Sequence, residues 1–153
     1  MPGSKKAINS AGSGLLVCLS LPASNNAAGY EALNWIEVGE ITGIAGDIGR
    51  VYDEIEVKNL RQRLKEKRKG AYTEGAPSIT TNYAPGDDGQ IAMETALMQD
   101  GNVSFCIELS DGTSKYAQGI VLSSPFSIGD VGSLVSGTYN IAFNTNIVTV
   151  LPA

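Results

Sequence analysis

Apolar and polar residues alternate most regularly over 102–109. There Val103, Phe105, Ile107 and Leu109 interleave with Asn102, Ser104, Cys106 and Glu108. A period of two is the signature of a strand with one face turned to a core. Asp111-Gly112 follows as a tight-turn pair and leads into a second apolar segment at 116–122, so the region predicts a β-hairpin. Ser123-Ser124-Pro125 breaks it, 126–137 reads as irregular, and two short strands are predicted at 138–143 and 146–151. Toward the N-terminus, 14–21 (GLLVCLSL) predicts a strand, 22–34 a loop and 35–41 a short extended piece. Next comes a glycine-rich bend, TGIAGDIGR, and then VYDEIEV at 51–57, with Val51, Ile55 and Val57 on one parity.

The period changes once. Over 87–99, Ile91, Thr95 and Met98 form a helical stripe with Ala92, Ala96 and Leu97 beside it, and Gly101 follows the end. Asp87 and Asp88 place acids at the start, where an N-cap and the helix dipole favour them. One amphipathic helix is therefore predicted among seven or eight strands. The fold class is α+β and mainly β: an antiparallel β-sandwich or barrel flanked by one α-helix. A second strand near 76–83 makes 51–83 a long β-hairpin, with 58–70 at its tip.

That tip, KNLRQRLKEKRKG, changes the picture. Lys58, Arg61, Arg63, Lys65, Lys67, Arg68 and Lys69 stand against one acid, Glu66. The chain carries a net −5, so a segment of +6 leaves −11 on the rest. Leu60 and Leu64 have helical spacing, but Arg61/Lys65, Arg63/Lys67 and Lys65/Lys69 are like-charge pairs at i, i+4 and oppose a helix. The tip is expected to be mobile by itself and to order against something acidic. Three functions follow: an arm for nucleic acid, a solvated charge run, or a contact for another protein. A nucleic-acid arm would bind with steep salt dependence. It lacks interleaved aromatic residues for base stacking, and the acidic body would repel the same polymer. A contact between copies uses both halves of the charge asymmetry and is preferred. A carbohydrate-binding sandwich ranks last, because aromatic residues are few and scattered.

The 153 residues, 42% of them hydrophobic, suit a single domain of 1–153 with a real core. Residues 1–13 are small and polar and read as a flexible arm. No apolar stretch reaches the length of a membrane span. The run at 14–21 is preferred as a strand over a signal peptide. Cys18 and Cys106 read as buried free thiols, with a disulfide between them as the alternative.

Enzyme chemistry finds no support. The chain has no histidine, which removes the commonest general base and metal ligand. No catalytic, cofactor or metal site is predicted. The acids Asp53, Glu54 and Glu56 are taken as a solvated strand face rather than a cation site. GIAGDIG has neither P-loop nor dinucleotide glycine spacing.

An ordered series of short elements carries a further reading. WIEVGEITGIAGDIGRVYD at 35–53 is followed by VKNL at 57–60 and KGAYTEGAPSITTNYAPGDDGQIAMETAL at 69–97. FCIELSDGT at 105–113 and YAQGIVLSSP at 116–125 close the series. It resembles the major tail tube proteins of long, non-contractile-tailed bacteriophages, which are related in fold to tube proteins of contractile tails and type VI secretion. The resemblance implies a β-sandwich subunit that forms homo-hexameric rings, stacked into the tube through which DNA passes. It implies a long loop, here Lys58, Arg61, Arg63, Lys65, Lys67, Arg68 and Lys69, reaching the adjacent ring. It further implies a tape measure protein in the lumen, tail terminator and distal tail or initiator partners, and phage DNA passing non-specifically. The location implied is the virion tail, after assembly in the bacterial cytoplasm.

Overall fold

A computed structural model describes residues 7, 8 and 10–152. The described residues form strands β1 (Gly14–Cys18), β2 (Ile36–Glu37), β3 (Ile41–Ala45), β4 (Ile48–Val57), β5 (Glu66–Gly75) and β6 (Ser78–Asn82). β7 (Val103–Glu108), β8 (Ser114–Ser123), β9 (Phe126–Ser127), β10 (Ser136–Phe143) and β11 (Val148–Val150) follow. Helix α1 spans Ala27–Glu31 and α2 spans Asp88–Leu97. The α+β, mainly antiparallel class is as predicted, and so are the β7–β8 hairpin and α2.

The main sheet runs β2-β1-β7-β8-β10-β6-β3, with β11 pairing on β8 and β9 on β10. Its two rims, β2 and β3, are separated by only residues 38–40. Seven strands laid flat would put the rims about 29 Å apart, whereas the four Cα steps from Glu37 to Ile41 span at most about 14 Å. The sheet must therefore curl into a barrel. The Val38 N–H donates to the Leu15 carbonyl at 2.9 Å, and the Asn82 N–H to Glu40 at 2.8 Å, so the bridge is bonded to both sides.

The N-terminus of α2 clamps this bridge. Asp87 caps the helix by accepting from the Gln90 N–H, and the same Oδ2 accepts from the Gly39 N–H, each at 3.0 Å. Gln90 is buried. Its amide donates to the carbonyls of Gly39 (3.1 Å) and Asn82 (2.9 Å) and accepts from the Ala84 N–H (3.0 Å). Gly89 lies against Glu37 and Val38, where a Cβ would collide with the Glu37 carbonyl oxygen and the Val38 Cα. The Asp-x-Gly-Gln series is thus a fastener. Acid, glycine and amide each meet a backbone group of the closing bridge or of the adjoining 82–84 segment.

From there α2 lays Ala92, Met93 and Ala96 on the inner face of the sheet, against a core that includes Leu15, Val17, Val103, Phe105, Ile107 and Ile141. The opposite face is covered by α1 and the segment after it. Tyr30 stacks on Tyr116 (5.1 Å, 11°), and the Trp35 ring lies 5.6 Å away, its indole N–H on the Tyr30 carbonyl at 2.9 Å. Cys106 is buried in this second cluster. β7 is consequently covered on both faces, which explains why its polar-parity residues Ser104 and Cys106 are buried as well.

Several expectations change. The 22–34 loop contains α1, whose N-cap Asn26 accepts from the Gly29 N–H, so two helices replace one. The glycine-rich bend is two strands, β3 and β4, around the Gly46-Asp47 turn. The expected second hairpin strand at 76–83 is β6 of the main sheet. Of the arm expected over 1–13, residues 1–6 and 9 lie outside the described residues, while the Ser13 N–H closes a turn on Ser10. Cys18 and Cys106 are both free and buried.

Candidate functional site

The region singled out by charge is a separate two-stranded ribbon, β4 paired with β5. Its return strand starts at Glu66, inside the basic run. The stretch expected to stay mobile until it met an acidic surface finds one in its own chain. Glu54 lies opposite Lys69, Ile55 opposite Arg68, Glu56 opposite Lys67 and Val57 opposite Glu66. The Lys67 ammonium sits 3.1 Å from Glu54, and Lys65 sits 3.6 Å from Glu56. Arg68 reaches Glu66 at 3.6 Å. The acids at 54 and 56 are thus half of a cross-strand ladder. The signal was the matched alternation of Glu54-x-Glu56 with Lys67-x-Lys69, which becomes visible only once the register is known.

The two faces of the ribbon differ. One presents Arg50, Tyr52, Glu54 and Glu56 on β4 with Lys67, Lys69, Tyr72 and Glu74 on β5. The Lys69 ammonium lies 4.8 Å over the Tyr52 ring, and the Arg50 guanidinium 4.3 Å over Tyr72. The other presents Val51, Asp53, Ile55 and Val57 on β4 with Glu66, Arg68 and Thr73 on β5, and the Ile55 side chain lies over Gly70. Val51 and Ile55 remain 56% and 51% exposed, a costly way to carry large apolar side chains unless another surface covers them. At the tip Leu60 and Leu64 are almost wholly exposed. A turn forms there, with the Gln62 N–H on the Asn59 carbonyl at 3.1 Å and the Arg61 N–H on the Asn59 side chain at 3.1 Å. Among the described residues, Lys58, Arg61, Arg63 and Lys69 have no ion-pair partner. Of the seven predicted contact residues, these four therefore lack a carboxylate partner, and Lys69 lies instead over the Tyr52 ring.

The root of the arm is pinned. Arg50 forks onto the buried Glu74 carboxylate at 2.7 and 2.8 Å and donates to the Tyr52 hydroxyl at 3.2 Å. Those two hydrogen bonds, Tyr52 first, hold the guanidinium above its already high ordinary pKa. The Tyr72 hydroxyl bonds the Asn146 side chain at 3.0 Å, tying the arm to the β10–β11 turn. Gly75 ends β5 at φ 116°, where a Cβ would strike the Asp47 carbonyl, so the change of direction between arm and barrel needs glycine.

No protein-family model and no curated protein matches the chain. Solved structures do. A chain in the tail of the empty gene transfer agent (GTA) particle, refined with C6 symmetry, matches with a TM-score of 0.70 at 12% identity over 96% of this chain and 100% of that one. The chain carries a tail-tube fold. A chain of the native GTA virion gives a TM-score of 0.70 at 11% identity, covering 94% of this chain and 99% of the other. The SPP1 tail tube gives 0.68 at 14% identity over 95% and 80%. Against this fold the described residues offer little chemistry. They contain no group of three or more histidine, cysteine, aspartate or glutamate side chains able to hold a metal. Burial pushes the Cys106 thiol up to about 12, so it is neither a thiolate nor a nucleophile at neutral pH. No helix among the described residues is long and apolar enough to cross a membrane.

Proposed function

We propose that this chain, as one tube domain over 1–153, is the subunit of a bacteriophage tail tube. Six copies close into a ring, rings stack, and DNA leaves the virion through the bore. The observation that carries this reading is the arm: a ribbon with both faces in solvent and large apolar residues exposed, on a barrel with a tail-tube fold. In the stack, the arm of one copy crosses to a copy in the next ring. There the cations Lys58, Arg61 and Arg63, with Lys65, Lys67, Arg68 and Lys69 behind them, approach an acidic body. Residues 48–75 carry eight cations and five acids, a net +3, so the remainder of the chain carries −8. Complementary charge of this kind steers encounter and orientation. A tape measure protein fills the bore during assembly, an initiator complex at the distal end starts the stack and a terminator ends it. Assembly takes place in the bacterial cytoplasm, and the finished location is the virion tail.

A nucleic-acid arm fits the geometry less well. Lys65, Lys67 and Arg68 are engaged by carboxylates of the arm itself, and Tyr52 and Tyr72 are capped by Lys69 and Arg50. Electron microscopy of the concentrated protein, alone and seeded with tail tips, tests the tube reading. Sixfold rings and stacked tubes are expected. Dispersed monomers under both conditions would end it.

A further inference from the structure

Charge steering leaves one feature of the arm's tip unused. Residues 58–65, between β4 and β5, carry four cations and no acid, a net +4. The two strands themselves carry four cations and five acids, a net −1. The positive charge of the arm is therefore gathered in eight residues at its far end. Two leucines stand among those cations, and neither is covered: Leu60 is 106% and Leu64 86% exposed. The Gln62 N–H bonded to the Asn59 carbonyl closes a turn with Leu60 and Arg61 at its corners. The tip thus interleaves hydrocarbon with positive charge, and a partner that is merely acidic would make use of the second alone.

A surface that takes both kinds of side chain must offer hydrocarbon beneath a layer of negative charge. An anionic phospholipid bilayer is such a surface: apolar side chains enter at the headgroup boundary, and each nearby Lys or Arg adds attraction. Duplex DNA offers the charge without the hydrocarbon, and bases stack on aromatic rings, which 58–65 lack. The acidic body does not stand in the way. At about 3.3 Å per residue, β4 carries Val57 up to about 30 Å from Ile48, against a Debye length of about 8 Å at physiological salt. The tip therefore stands several screening lengths from most of the −8 remainder. We propose that the tip binds an anionic phospholipid bilayer, with Leu60 and Leu64 entering between the headgroups and Lys58, Arg61 and Arg63 lying on their phosphates. In the stack proposed above the tip is covered, so the copies that reach a bilayer are those not yet stacked. The contact needs one copy only and stands apart from the tube reading.

Co-sedimentation with vesicles tests this. The unaltered chain should bind phosphatidylcholine vesicles containing about one-third phosphatidylglycerol at least tenfold more tightly than phosphatidylcholine alone. Leu60→Ser with Leu64→Ser should weaken that binding at least tenfold, and so should Lys58→Glu with Arg61→Glu and Arg63→Glu. Tm should stay unchanged in both variants, since all five side chains lie in solvent. A polarity-sensitive dye on Gln62→Cys, with native Cys18 and Cys106 buried, should shift to the blue on the anionic vesicles. Raising salt from about 50 to about 500 mM should weaken binding several-fold without abolishing it, because the leucines are not screened. No binding to the anionic vesicles, an unshifted dye, or full binding by the leucine variant would overturn the contact. Binding to duplex DNA that survives the leucine changes, with none to vesicles, would assign the tip to nucleic acid instead. Tubes from a chain that ignores vesicles would remove this contact and leave the tube reading. Vesicle binding by a chain that never forms rings would do the reverse.

Discussion

The barrel and the arm are built from the same kind of strand, yet they hold their shape by different means. β7 is covered on both faces, and its register follows from packing, with Val103, Phe105 and Ile107 in the main core and Cys106 in the Tyr30–Tyr116 cluster. β4 and β5 are wet on both faces, so hydrophobic burial cannot set their register. Cross-strand pairing does so instead: Glu54 and Glu56 against Lys67 and Lys65, and Tyr52 against Tyr72 with their rings 5.2 Å apart. A strand without a core can still be specified, provided its charges alternate in step. The result has few layers to lose, so the arm should be the part of the molecule most easily altered without unfolding the rest.

Truncating the core should produce the widest separation between the two regions. Phe105→Ala removes a wholly buried ring and should cost about 3–5 kcal/mol. Ile55→Ala on the arm should stay within about 0.5 kcal/mol. Urea denaturation of both variants measures the gap, and equal losses would contradict the division drawn here.

Gln90→Ala probes the fastener. It strips partners from Gly39, Asn82 and Ala84 at once, and a loss of about 2–4 kcal/mol is expected, at a cost of about 1–3 kcal/mol for each buried polar group left unsatisfied. A shift below 0.5 kcal/mol would mean that water enters and replaces the amide.

Arg50→Ala tests whether the arm's root is a local matter. Amide exchange across β4 and β5 should quicken while β7 and β8 keep their protection. Uniform change across both regions would show that arm and barrel open together.

The smallest effect concerns alkali. Burial raises Cys106 from 9.0, and Tyr139 from 10.0, to about 12 each. Above about pH 9 the unfolded chain therefore loses these protons before the folded one does. Stability should be undiminished by them below that point and should fall as pH rises through about 12. Cys106→Ala should flatten the early part of the decline in Tm. No change in the slope would place the loss elsewhere.

The barrel was largely legible because its signals are local. Alternation over 102–109 marked β7, the stripe over 87–99 marked α2, and Asp111-Gly112 marked the turn. The arm was legible in outline only. That 58–70 projects followed from charge, but the start of β5 at Glu66 depends on cross-strand partners nine or more residues away, whose register no local pattern gives. α1 escaped for a related reason: five residues of Ala, Gly, Tyr and Glu have little helical pattern, and packing of Tyr30 on Tyr116 holds them.

The clasp at Gly39 and Gln90 has a bearing on how the molecule comes into being. Its two sides lie about fifty positions apart along the polypeptide, so its hydrogen bonds and close glycine contact wait on the pairing of β3 with β6 that brings them together. Seating that helix end thus follows a long-range strand pairing and cannot precede it. A newly made molecule would expose its unfinished rims to other chains for longer than its compact final form suggests.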